Sequence, residues 1–437
     1  MALSLAEFSS EMAADQVRSA AGSETGPLPQ NPFKLRHVPK WNDVSDFLSI
    51  RAPRLDYSRA RVEACADIWD LRKLARRRTP VAVFDYVDGS AGSEITLARQ
   101  RDIYSRIEFE PRVLVDVANV KTRTTILGVE SDWPFVFGPT GFTRMMNHEG
   151  EVAVGRVAAR HGVHYALSTL GTTSPEELRQ AVPGGRKMFQ LYIWRDRAFS
   201  RELLARVKES GYDALILTVD TPVAGQRLRD VRNGFSIPPR LTIKTLMDMS
   251  LHPAWWFNLL TTPPLEFASL SSTGGTVAEL IGQVFDPQLT MADVEWLRSE
   301  WDGPIVIKGV QSSSDAARVA AAGADAVLLS NHGGRQLDRA PVPLEILPGV
   351  LEAVPEKVEV FIDGGVMSGG DIVAGLCMGA KAVFVGRAYL YGIMAGGEAG
   401  VEQTMRILTK DITTQMVLLG VDDVSKLDRS MVRVRER

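Results

Sequence analysis

The chain has 437 residues, 45% hydrophobic and 24% charged, enough to bury one large core or two smaller ones. A formal net charge of −3 argues against a nucleic-acid partner held mainly by electrostatics. Cys65 and Cys377 are the only cysteines and stand in no metal-ligand spacing, which excludes a disulfide framework, favours a reducing compartment and leaves no metal site in view.

Residues 1–60 mix Ser, Pro and charges with little periodicity and read as an N-terminal extension, partly disordered, before a domain over 61–437. Met1 to Ala21 is polar and acidic, unlike a secretory signal. No run of about 18 apolar residues exists, so no membrane-crossing helix is expected. Ile68 to Arg78 is a basic amphipathic helix stopped by Pro80, and Val81 to Gly89 sets Tyr86 just ahead of a Gly-Ser-rich turn.

A repeating grammar starts near residue 134. Apolar runs over Pro134–Gly141, Val163–Thr169, Lys187–Ile193 and Ala214–Asp220 alternate with helical stretches over Glu149–His161, from Ser174, and over Phe199–Ser210. Ser174 with Glu177 forms a capping-box pattern, and Gly211 closes the third helix. Residues 221–290 break the rhythm with Pro238-Pro239 and the cluster Trp255-Trp256-Phe257, a connection too long to be ordinary. The runs resume at Pro304–Val310, Asp325–Leu329, Val358–Gly365 and Ala382–Gly386. Helices are expected over Ser313–Ala322, Pro343–Val354 and Asp371–Met378, with a long one from about Glu398. Near-continuous apolar runs are strands buried on both faces. Eight such units over about 290 residues fit an α/β protein of the (β/α)8 barrel type, with a helical N-terminal extension and a long insertion after strand 4. A doubly wound open sheet is disfavoured, because no Gly-x-Gly-x-x-Gly follows the first strand.

Unusual polar residues sit where these runs end, the face on which such barrels carry their chemistry. They are Thr140, Ser168, Gln190, Tyr192, Thr218, Asp220, Lys308, Ser330, His332 and Arg335. The densest stretch is Leu329 to Asp338. There a titratable His332 stands three residues before Arg335, whose planar fork suits a carboxylate. Asp363-Gly364-Gly365 and Gly386-Arg387 follow the last two strands, where barrels commonly hold phosphate. A polar ring on a phosphate tail, such as flavin mononucleotide, fits that set.

The chain resembles the FMN-dependent L-2-hydroxy acid oxidases and dehydrogenases over roughly residues 65 to 425. The stretches that carry the likeness are Ser-Asn-His-Gly-Gly-Arg-Gln-Leu-Asp at 330–338, Phe-Asp-Tyr at 84–86, Gln-Leu-Tyr at 190–192, Thr-Val-Asp-Thr-Pro at 218–222 and Val-Gly-Arg at 385–387. Ala224 to Asn233 and Trp255-Trp256-Phe257 resemble the actinobacterial L-lactate dehydrogenase branch. The resemblance implies His332 as base, Asp220 as its partner, Arg335 and Tyr86 on the substrate carboxylate, Tyr192 on the substrate oxygen and Arg227 bordering the site. It implies Lys308 beside the flavin N1/O2 edge. Pro139, Thr140, Gly141, Ser168, Gln190, Thr218 and Ser330 would line the flavin, with Asp363 on the ribityl chain and Gly364, Gly365, Gly386 and Arg387 toward the phosphate.

Two positions depart from the glycolate-oxidase pattern: Met367 stands where a second phosphate arginine is usual, and Leu170 replaces a Trp over the substrate. Oxidation of an L-2-hydroxy acid, L-lactate foremost, is the activity this implies. Alternatives are an oxidase that releases peroxide from O2, an FMN barrel acting on another substrate, and a non-catalytic scaffold. For the acceptor we expect a quinone or another redox partner. We also expect a homotetramer and a cytoplasmic protein with peripheral contact at the inner face of the cytoplasmic membrane. The aromatics at 255–257 fit that contact, or packing on the barrel or a neighbouring subunit.

Overall fold

The computed structural model describes residues 40–41, 56–234, 243–273 and 286–436. Most of the predicted extension, 1–60, lies outside them. The compact unit that carries the fold runs from Asp56 to Arg437.

Eight parallel strands close into a barrel. We label them β1 (Phe135–Phe137), β2 (His164–Ser168), β3 (Lys187–Leu191), β4 (Ala214–Thr218), β5 (Ile305–Val310), β6 (Ala326–Leu329), β7 (Glu359–Asp363) and β8 (Ala382–Val385). Each pairs with the next, and β8 returns to β1 through Val383 to Val385 against Phe135 to Phe137. Nearly every strand residue is buried, because one face meets the barrel interior and the other meets the helices. Val136, Met188, Ile216, Val306, Phe361 and Phe384 fill the interior. The hairpin of Thr124–Ile126 and Val129–Ser131 plugs its N-terminal mouth: Ile126 is fully buried in the interior cluster, and the Leu127 N–H donates to Glu359 Oε2 at 3.0 Å.

Ile68–Arg78 forms the expected helix, capped by Asp67, and Ser174 caps Pro175–Ala181 with its capping box complete. The stretch after Pro80 is also helical, Val81–Asp88, which brings Tyr86, Val87 and Asp88 to the barrel mouth on its last turn. The final helix corrects the sequence reading. It begins at Arg387, directly after β8, and runs to Leu419 with a break at Gly396 and Gly397. The expected start near Glu398 falls just after this break, so the sequence reading had only the second half of the helix.

The insertion contains the helices Leu228–Arg232, Ile243–Ser250 and Pro253–Thr261 and a 3-10 segment at Ala268–Thr273. Met291–Glu300 then restores the ordinary strand-helix alternation, with a capping box between Thr290 and Asp293. Pro238-Pro239 lies outside the described residues.

Candidate active site

A cavity of about 420 Å³ opens at the C-terminal ends of the strands. Every site residue expected from the sequence lines it except Asp220 and Ser330, which stand behind the wall.

His332 and Asp220 come from different strands. Asp220 follows β4, and its side chain is 2% exposed. His332 follows β6 with φ 59°, a left-handed conformation rare outside glycine and held here by Ser330, whose hydroxyl accepts the His332 N–H at 3.0 Å. His332 Nδ1 and Asp220 Oδ1 are 3.1 Å apart. Burial pushes the Asp220 carboxyl up, but the charges of His332 and Lys308 outweigh it and hold it below the usual carboxylate range. Burial also pulls the His332 imidazole below its ordinary value; Asp220 opposes that, while Lys308 and Arg335 reinforce it. An ionised Asp220 therefore accepts the Nδ1–H of a neutral imidazole and leaves the Nε2 lone pair on the cavity side.

Arg335 lies over the Tyr86 ring, 4.8 Å from its centroid, and Arg227 lies over the same ring at 5.4 Å. The Arg335 guanidinium also donates to the Tyr86 carbonyl oxygen. Burial and then the neighbouring Arg227 pull Arg335 down to about 10. Two guanidiniums on one ring leave positive charge that a substrate carboxylate would satisfy. Arg227 is positioned by Asp230 at 2.7 Å, and the helix that carries it is tied down by Arg229, which pairs with Asp88 at 2.9 Å and Glu94 at 2.5 Å. Tyr192 is buried beside them, and burial followed by Asp220 raises its hydroxyl well above the ordinary phenol value.

The other wall suits a flavin. Lys308 is buried on β5, 3.0 Å from Ser330 Oγ and 3.6 Å from Asp363 Oδ2. Ser330 is thus a bridge beneath the wall, donating to Asp363 at 2.7 Å. Gln190 Nε2, Thr218 Oγ1 and Asp363 Oδ1 are buried without a partner among the described residues, although all three belong to cavity-lining side chains. Such orphaned groups are costly unless a ligand meets them. Thr140 and Ser168 instead spend their hydroxyls inward, on Tyr389 at 2.7 Å and Gln190 Oε1 at 2.8 Å. Gly364 and Gly365 have φ of 90° and 77°, and a Cβ at either would meet Gln100 within about 2.5 Å, so only glycine fits. The long helix is N-capped by Gly386 on the same wall, which aims its first N–H groups at the place for a phosphate.

Arg387 also lines this wall, with three bonds to backbone carbonyls: Val87 at 2.9 Å, and Gly333 and Gly89 at 2.8 Å. Met367 is buried and offers no charge. Arg101, which sequence reasoning missed, lies on the same wall, donating to the Gly365 carbonyl and pairing with Asp371 at 2.8 Å. Arg72, paired with Asp88 at 2.6 Å, was missed too. Both belong to helices before the barrel repeat, and nothing in their spacing points to the barrel mouth. Phe267, from the far end of the insertion, completes the lining and meets Phe142 edge-on with ring centroids 4.6 Å apart.

The family model for FMN-dependent dehydrogenases matches residues 75–434. A Mycobacterium tuberculosis protein provisionally named L-lactate dehydrogenase is 51% identical over 392 residues, covering 90% of this chain and 95% of that protein. The L-lactate dehydrogenase of Caulobacter vibrioides is 40% identical over 373 residues, covering 84% of this chain and 97% of its own. Among solved structures, a monotopic membrane protein, (S)-mandelate dehydrogenase, superimposes with a TM-score of 0.82 at 34% identity, over 85% of this chain and all of that one.

Proposed function

The chain belongs to the FMN-dependent dehydrogenase family, and we propose that it oxidises L-lactate to pyruvate with His332 as the base. One observation carries the residue assignment: His332, paired through Nδ1 with Asp220, shares a cavity edge with two guanidiniums stacked on Tyr86. FMN, when bound, supplies the two-electron acceptor. Gln190, Thr218 and Lys308 would hold its ring, Asp363 its ribityl chain, and Gly364, Gly365, the helix start at Gly386 and Arg387 its phosphate. Arg335 and Arg227 bind the lactate carboxylate, Tyr192 orients the hydroxyl, and His332 Nε2 takes one of the two protons that leave lactate. Asp220 keeps the imidazole oriented and stabilises the imidazolium that results. Leu170, with Phe142 and Phe267 beside it, bounds the side-chain end of the cavity.

The reading includes a quinone as electron acceptor, a homotetramer, and a cytoplasmic enzyme held peripherally at the inner face of the membrane. No helix among the described residues is long and apolar enough to cross a membrane. The insertion supports a peripheral contact with a change of residues: Trp255 turns inward, its Nε1–H donating to the Met145 carbonyl at 2.8 Å, while Phe257, Leu260, Leu251 and Met247 face outward.

The test is anaerobic mixing of FMN-loaded protein with L-lactate. Flavin absorbance should bleach in wild type and stay in His332→Ala, which should still bind FMN. No bleaching in wild type sinks the activity, and a His332→Ala variant that keeps more than about a tenth of the rate sinks the base. Comparing acceptor rates with a quinone analogue and with O2 separates dehydrogenase from oxidase; light scattering reports the tetramer.

A further inference from the structure

A second cavity, of about 410 Å³, lies where the start of the helix Pro253–Thr261 packs over the barrel. Among the described residues, its titratable lining consists of Arg77, Arg78, Arg144, His148 and His252, with no Asp or Glu. Arg78 donates to the Ser58 carbonyl at 3.0 Å and Arg144 to the Pro263 carbonyl at 2.7 Å. Those bonds orient the guanidiniums without neutralising them. Arg77 is exposed, with no bonded partner among the described residues, and His148 Nδ1 is buried without one. Three acids stand close by: Asp248 accepts the Val81 N–H at 2.7 Å and lies 4.0 Å from His252, Glu149 accepts the Glu398 N–H beside Gly397, and the charge of Asp56 acts on Arg78. Concentrated cationic charge around a cavity calls for an anion.

The rim is apolar. Leu251 both lines the cavity and is 77% exposed, and Met247, Phe257 and Leu260 on the same pair of helices are 67%, 58% and 73% exposed. A soluble anion has no use for such a collar, whereas an amphiphile does. A second copy packed symmetrically on this face would bring two arginine clusters together. We propose that the cavity binds the phosphate headgroup of an anionic phospholipid, with Met247, Leu251, Phe257 and Leu260 entering the acyl layer. The proposal rests on the peripheral membrane contact above and gives it a lipid preference. Met146 lines both cavities, so the lipid site stands one side chain from the cofactor wall and would hold that wall close to the bilayer surface.

Co-sedimentation of the FMN-loaded full chain with vesicles tests it, without substrate, so that its outcome is independent of the chemistry. Wild type should bind phosphatidylglycerol-containing vesicles more tightly than pure phosphatidylcholine vesicles. Arg77→Ser with Arg144→Ser should weaken binding to the anionic vesicles roughly thirtyfold, leaving phosphatidylcholine binding and dye-coupled lactate oxidation unchanged. Arg77→Glu, at an exposed position, should act in the same direction without disturbing folding. Equal binding to both vesicle types, or no effect of the arginine variants, overturns the proposal. So does saturable binding of inorganic phosphate that needs these arginines while no vesicle preference exists. If Leu251→Ser with Phe257→Ser changes the oligomeric state and not vesicle binding, the face is covered by a second copy and the proposal fails.

Discussion

The role of base proposed for His332 needs a neutral imidazole, and the surroundings of this residue favour one. Only the neutral imidazole accepts a proton, so activity is present above its pKa and lost as pH falls through it. Burial, with Lys308 and Arg335, sets that pKa below 6.5, and Asp220 alone among the named charges pulls it up. In kcat/KM for lactate, the acid limb should therefore fall below pH 6.5. Asp220→Asn removes the upward pull and should move the limb to lower pH, while kcat drops by at least about tenfold as the imidazole loses its orientation. A limb that moves up would show that Asp220 does not act through charge on His332. Arg335 makes a different demand. An ammonium cannot reproduce a planar fork held over Tyr86, so Arg335→Lys should lower kcat/KM about 10–100-fold, with KM raised and kcat reduced. An unchanged KM would take the carboxylate away from Arg335.

At the scale of elements, glycines decide how the last helix is built. Its halves, Arg387–Ala395 and the part beyond Gly397, fold back so closely that a Cβ on Gly400 would lie 1.8 Å from the Gly392 carbonyl oxygen. Backbone, which cannot rotate away like a side chain, would have to move. Gly400→Ala should cost on the order of 1–3 kcal/mol and lower the melting temperature by several degrees. It should also weaken FMN binding, because Gly386 and Arg387 at the start of that helix line the wall proposed for the phosphate. A variant with unchanged melting temperature would show that the close approach is relieved at no cost. The loop after β4 illustrates the opposite economy. Gln336, inside the His-Gly-Gly-Arg-Gln stretch, accepts the Gly225 N–H at 2.9 Å and donates to the carbonyls of Asp220 at 3.1 Å and Val223 at 2.8 Å. Asp338 accepts the N–H groups of Ser93 and Thr96 at 2.9 Å. The stretch that resembles the family most thus also ties the loop after β4 and the segment Ser93–Thr96 to the barrel mouth.

Across the whole molecule, the barrel interior carries one acid-sensitive point away from the chemistry. His164, at the start of β2, is fully buried with neither ring nitrogen bonded among the described residues, and burial, then Arg186, lowers its pKa to about 4. An unfolded histidine titrates near 6.5, so the unfolded chain binds the proton first. Stability from this residue is complete above about pH 6.5 and is lost progressively toward pH 4, by up to about 3 kcal/mol. His164→Leu should flatten the dependence of melting temperature on pH in that window. An undiminished slope would place the acid sensitivity elsewhere.

Sequence alone determined the barrel, because strands buried on two faces must be apolar throughout and their number and rhythm survive in one dimension. It also located the residues at strand ends, since strand direction in a parallel barrel puts all those ends on one face. Family likeness then attached roles to His332, Arg335 and the phosphate-side glycines. Tertiary structure decided what depends on elements meeting. It gave the pair implied by that likeness, Asp220 and His332, its 3.1 Å geometry, set Arg227 and Arg335 over Tyr86, placed Ser330 beneath the wall, and carried Arg72 and Arg101 to the cavity on helices outside the repeat. The insertion shows the physical reason most directly: Trp255 and Phe257 are both large aromatics and two residues apart, yet one packs on the barrel and the other faces outward. Hydrophobicity selects residues for burial, but which of them finds a surface is settled by the packing of the whole chain.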